Sequence, residues 1–191
     1  ISLSGQTVLH VPKKKFTLQL GNPNLICKSL KFNVVSDFRI KDILNGGQGA
    51  PIGSYYHKLL INKINPKSAI INLGGVANFS LLNKKKLISS DIGPANAITD
   101  DLMFYFFKKN YDRNGNIASK GGKNIKIFEL YKKDSFFKKN FPKSLDRNNF
   151  HYLFKKLKKL RPHEALNTSN NFTIHAIINL IDHKICENIN E

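Results

Sequence analysis

The sequence predicts an α/β protein with mixed sheets flanked by helices, and three observations carry the prediction. Short apolar runs at 8–11, 16–20, 69–71 and 79–82 are bounded by Gly, Asn, Pro and Lys clusters. From Asn124 onward apolar residues recur at helical spacing. The two patterns meet at 69–101, where strand, glycine turn, strand, lysine turn and strand lead through Gly93-Pro94 into a helix.

In chain order, Val8 to Val11 and Phe16 to Leu20 flank Pro12-Lys13-Lys14-Lys15 and read as a hairpin. Asn22-Pro23 starts a helix with Leu25, Ile26 and Leu30 on its apolar face. Phe32 to Val35 is expected to be a buried strand. The loop 46–51, GGQGAP, lacks the Lys-Ser/Thr ending of a Walker loop and reads as a connection into a helix over 52–61. Tyr55, Tyr56 and His57 are expected to pack on that helix, His57 not as a base.

The central segment carries the chemistry. Ala69-Ile70-Ile71 ends in Asn72-Leu73-Gly74-Gly75, where backbone can approach a ligand closely. Asn83 to Lys86 reads as a hairpin connection. Asp91 is expected at a strand end before the Gly93-Pro94 turn and a helix N-terminus at Ala95, where α/β proteins place reactive groups. Two glycine turns facing one carboxylate suggest a phosphate site beside a base. An N-cap and a plain turn are the plainer readings of the same residues.

Beyond it, Ile98, Leu102, Tyr105 and Phe106 should face the core. Asp100 and Asp101 suit the helix dipole. Tyr111 to Gly115 resembles a calcium loop without its later ligands, so it reads as a tight Asn-Gly turn. Ile127, Leu130 and Tyr131 form one stripe, Phe150, Leu153, Phe154 and Leu157 another. A last helix runs from about Pro162 past Ile181, with Phe172, Ala176, Leu180 and Ile181 on one side.

Composition excludes some classes. A chain of 191 residues with 41% hydrophobic content can bury a proper core. No apolar run approaches a membrane span and no signal peptide is read, so no membrane partner is expected. Cys27 and Cys186 lack metal-ligand spacing and read as thiols of a reducing, cytoplasmic compartment. The net charge of +18 rests on lysine, with arginine only at 39, 113, 147 and 161. Nucleic-acid readers favour arginine forks, so the lysine runs read as solvated faces and no specific nucleic acid is expected.

The motifs INLGGVANFSLL at 71–82, SDIGPANAITD at 90–100 and YDRNGNIASKGG at 111–122 stand in order with SGQTV at 4–8, FTLQLGNPNLI at 16–26, VVSDFRIKDI at 34–43, GGQGAP at 46–51 and, more weakly, PKS at 142–144. Together they resemble the anhydro-N-acetylmuramic acid kinase family of the sugar-kinase and actin-like ATPase superfamily. The resemblance implies an actin-like/ribonuclease H-like ATPase fold with an incomplete first lobe: 1–41 its remnant, 42–191 most of the second lobe with a helical C-terminal part. The family's first phosphate loop and its later adenosine block have no counterpart here. A truncated product with little kinase activity is therefore expected, its strands over 7–20 left with unpaired apolar edges.

By the same resemblance, ATP with Mg²⁺ and an amino sugar are the ligands. Water opens the anhydro bridge of 1,6-anhydro-N-acetylmuramic acid and the sugar takes the γ-phosphoryl group. Asp91 aligns with the general base. Asn72, Gly74, Gly75, Gly93 and Asn96 match the phosphate side; Gln6, Thr7, Arg39 and Lys41 match the sugar side; no residue is assigned to a metal. Ser4 stands where the family has His, and Lys41 where arginine is usual, which loses a bidentate fork. After 142–144 only Arg147 keeps the family pattern. A homodimer fits this reading, and three other classes stand beside it: a non-catalytic remnant, a basic nucleic-acid-binding module and a regulatory glycoprotease-like or actin-like scaffold.

Overall fold

Strand β1 (Gln6–Val11) and strand β2 (Phe16–Leu20) pair antiparallel from Gln6↔Leu20 to Val11↔Phe16, with a bulge between Thr7 and Leu9. The computed structural model describes residues 1–183, so Cys186 lies outside the described residues. Its chain divides into two units, Ile1–Gly53 and Ser54–Glu191.

In the first unit the hairpin stays two-stranded, with Val8, Leu9, Phe16, Leu18 and Leu20 exposed. Helix α1 (Pro23–Leu30) begins as its sequence dictates: Asn22 caps it by accepting from Leu25 N at 3.1 Å, and Pro23 occupies the first turn. The expected strand at 32–35 is corrected. Val35 makes only an isolated parallel bridge to Ser2, and Phe32 and Val35 are 63% and 57% exposed, so no sheet buries them. Helix α2 (Phe38–Leu44) supplies Ile43, the one large apolar side chain buried among the described residues of this unit. The glycine loop is clipped onto α2, because Gly49 N donates to Asp42 Oδ2 (2.7 Å) and Arg39 Nη1 donates to Gly49 O (2.8 Å). Gly49 has φ +67°, and a Cβ there would lie 2.8 Å from Ile43 Cδ1.

The second unit is built on an antiparallel sheet ordered β3 (Ala69–Leu73), β4 (Val76–Asn83), β5 (Lys86–Pro94). The faces follow the period of two. Ala77, Phe79 and Leu81 on β4 pack with Ile92 against Ala176 and Leu180 of helix α7 (Pro162–Ile181). Helix α3 (Ser54–Ile64) also contacts β4, where His57 Nδ1 lies 2.9 Å from Ser80 Oγ. Tyr55 and Tyr56 are 74% and 64% exposed, so the packing role expected of them is corrected; His57 alone of the three is tied to the sheet.

Helices α4 (Asn96–Phe107), α5 (Ile125–Lys132) and α6 (His151–Leu157) join α7 around a larger core of Ile98, Leu102, Tyr131, Phe150, Leu153 and Phe172. Phe128 fills the inward place given in the sequence to Leu130, which is 39% exposed; Tyr105 is also half out, at 48%. The Asn-Gly turn is observed, with Asn114 and Gly115 at φ 58° and 65°. Asp112 caps the next turn, accepting from Ile117 N and Ala118 N.

The β4–β5 connection is a two-residue hairpin turn in which Lys84 and Lys85 hold φ 47° and 67°. Both central residues are left-handed, the geometry that favours Asn-Gly. Lysine there costs conformational energy, so Lys84→Asn/Lys85→Gly is expected to stabilise the protein by about 1 kcal/mol. Thermal unfolding checks this; an unchanged or lower midpoint would contradict it.

Candidate active site

Asp91 lies within β5, which continues to Pro94; it is not at a strand end as its sequence setting implied. The register explains the geometry. Asn78 pairs with Asp91 and Ala77 with Gly93, so Ile92 is an extra residue and β5 bulges immediately after the carboxylate. Asn72 in turn pairs with Asn78. Asn72, Asn78 and Asp91 therefore form one row across three strands, on the face that also carries Ser80 and Ser89. Ala77, Phe79 and Leu81 occupy the opposite, dry face.

Asp91 is 9% exposed and held from two sides of its own residue. Its Oδ2 accepts from Leu145 N at 2.7 Å and its N–H donates to Lys143 O at 3.0 Å. Lys143 N donates to Ser90 Oγ at 2.7 Å, so residues 143–145 run along β5 at the bulge. Lys143 Nζ is bonded to Phe136 O and Lys139 O and sits 4.4 Å from the Phe136 ring centroid and 4.6 Å from that of Phe141. Burial, and then Lys139, push its ammonium below the ordinary lysine range. This clamp was not assigned from the sequence, although the weakly matching block at 142–144 was its signal.

The Gly74-Gly75 turn joins β3 to β4 and abuts the start of α4. Gly74 O accepts from Asn96 N (2.9 Å), Gly75 O accepts from Ala95 N (3.1 Å) and Ala97 N (3.2 Å), and Asn96 Nδ2 donates to Leu73 O (2.9 Å). Neither glycine has positive φ, and an added Cβ would make only ordinary contacts, 3.6 Å at Gly74 and 3.4 Å at Gly75. The fold itself does not demand glycine there; the missing side chains leave bare backbone. Gly93 differs. It is buried, and a Cβ would lie 2.7 Å from Ala176 Cβ, so close packing under α7 accounts for it.

A polar pocket of about 360 Å³ opens beside the same helix start, lined by Asn96, Thr99, Asp100, Tyr111, Asp112, Gly115 and Asn170. Burial and then Asp101 raise the Asp100 carboxyl above its ordinary value, against the opposing Arg147 charge. Arg147 Nη2 meets Asp101 Oδ1 at 2.6 Å, which ties α4 to the segment after the clamp.

In the first unit, Gln6 is exposed on β1 and Thr7 Oγ1 accepts from Gln19 Nε2 at 3.4 Å. Arg39 carries the Gly49 contact, and Lys41 is exposed on α2. Among the described residues no group of three or more His, Cys, Asp or Glu side chains is placed to hold a metal, and no helix is long and apolar enough to cross a membrane.

The profile of the anhydro-N-acetylmuramic acid kinase family (AnmK) matches residues 1–191. Among similar proteins, the anhydro-N-acetylmuramic acid kinase of Rhodopseudomonas palustris strain CGA009 is 39% identical over 180 residues, 93% of this chain and 48% of that protein. The protein of the same name from gamma-proteobacterium EBAC31A08 is 37% identical, over 95% of this chain and 51% of its own length. That of Hydrogenovibrio crunogenus is 32% identical, over 93% and 50%. The chain thus spans about half the length of the curated relatives it matches. With a mixed α/β fold of small antiparallel sheets flanked by helices, consistent with the sugar-kinase and actin-like ATPase architecture, the chain belongs to the anhydro-N-acetylmuramic acid kinase family.

Proposed function

We propose that the chain carries the base and the second phosphate turn of an ATP-dependent kinase. The reaction hydrolyses the anhydro bridge of 1,6-anhydro-N-acetylmuramic acid and forms N-acetylmuramic acid 6-phosphate, in cytoplasmic recycling of peptidoglycan. The observation that supports it best is the row Asn72–Asn78–Asp91 ending beside bare glycine backbone. Two strand spacings put Asp91 on the order of 10 Å from Asn72, with Asn78 of β4 between them.

In this reading Asp91 takes a proton from the attacking water, its carboxylate oriented by the Leu145 amide. Gly74 and Gly75 let the β- and γ-phosphates approach backbone, while Asn72 and Asn96 frame the turn from either side. Gly93 contributes by letting α7 pack closely behind the bulge. Gln6, Thr7, Arg39 and Lys41 are assigned to the sugar. Mg²⁺, held chiefly by phosphates and water, would neutralise charge on the transferred group and requires no protein cage.

The test exploits the space at the turn. Because Gly75→Ala meets only ordinary contacts, it should change stability by less than about 0.5 kcal/mol. It should nevertheless weaken nucleotide binding about tenfold, since the methyl group occupies the ligand's approach. Calorimetric titration with ATP and Mg²⁺ checks both the wild type and the variant. Equal affinities would remove the turn from the phosphate site.

A further inference from the structure

The opposite end of the same sheet carries a lysine-lined groove. The last turns of α3, the residues after it and the β4–β5 turn enclose a groove of about 620 Å³ lined by Lys58, Asn62, Pro66, Lys67, Leu82, Lys84 and Lys85. Four lysines thus line the groove together with Pro66 and Leu82. From Ile43 to Ser90 the sequence holds six lysines and no Asp or Glu. Neither ion pair found among the described residues involves any of the four. Like charges gathered around one concavity repel one another, so the arrangement favours an anion that neutralises several at once.

The turn is the independent observation. Lys84 and Lys85 occupy left-handed positions where Asn-Gly would be more stable, yet both side chains line the groove. The backbone gains nothing from lysine at either place; a bound anion would. We propose that this groove binds a small oligophosphate, with lysine ammonium groups as point-charge partners. The site is distinct from the Gly74-Gly75 turn, which joins the other ends of the strands.

The probe is inorganic tripolyphosphate, titrated calorimetrically into the purified protein, with amine acetylation and peptide mapping in parallel. Binding should protect Lys58, Lys67, Lys84 and Lys85 while Lys13, Lys14, Lys155 and Lys159 react as before. Lys84→Asn/Lys85→Gly should lower the affinity at this site about tenfold by removing two charges, while its melting midpoint rises, so that lost binding is separated from lost folding. Lys58→Gln should also weaken it, and Gly75→Ala should leave it unchanged. Unaltered binding by the double variant overturns the proposal. Uniform protection of all lysines, or binding only to long single-stranded RNA, also overturns it, because either outcome reads general surface charge.

Discussion

Asp91→Asn, made in a chain completed to the length of its curated relatives, is expected to lower sugar-dependent ATP turnover about 100- to 10,000-fold, the range a positioned general base supplies. Asparagine keeps the shape and can still accept the Leu145 N–H that holds Asp91 Oδ2 at 2.7 Å. Folding and ATP affinity should therefore stay close to wild type, and the loss should fall on kcat. A coupled assay for ADP release with the anhydro sugar, beside ATP titration, separates the two. Near-normal turnover would take Asp91 out of the base role, and weakened ATP binding with normal kcat would move it to the phosphate side.

Tyr131→Ala is expected to cost the second unit about 3–5 kcal/mol, as for other large aromatic truncations in cores. Tyr131 is fully buried, stacks on Phe172 at 4.3 Å between centroids, meets Phe137 edge-on at 4.9 Å, and donates its hydroxyl to Phe172 O at 2.8 Å. Burial, then Asp134 and Tyr152, push its phenol well above the ordinary tyrosine range. Its hydroxyl also lies 3.3 Å from where a Gly93 Cβ would be, so the core loss should reach the strand that carries Asp91. Urea unfolding followed by circular dichroism measures the cost. Tyr131→Phe, which keeps the ring, should cost only about 1 kcal/mol; equal losses in both variants would place the stabilisation in the hydroxyl.

Much of the second unit was legible because its patterns are local. The apolar run at 79–82 marks β4, and Pro162 with Phe172, Ala176 and Leu180 marks α7, whereas Ile181, expected on the same side, is 49% exposed. The Asn22 cap was equally readable, since Asn-Pro at a helix start acts within one turn. Phe32 to Val35 misled because an apolar run becomes a strand only where partners pair it, and Ser2 alone does. Tyr55 and Tyr56 misled because their aromatic character suggests burial, while the helix turns them outward.

By itself the sequence determined the order of turns, strands and helices, the excess of lysine, and the motifs that place the chain in its family, because composition and short-range pattern are properties of neighbouring residues. The tertiary structure decided the rest. The register running from the β4–β5 turn sets Asp91 in a row with Asn78 and Asn72, residues 143–145 grip it from more than 50 positions away, and α7 requires Gly93 to be bare. These are long-range pairings, chosen by register and packing, and no local window contains both partners.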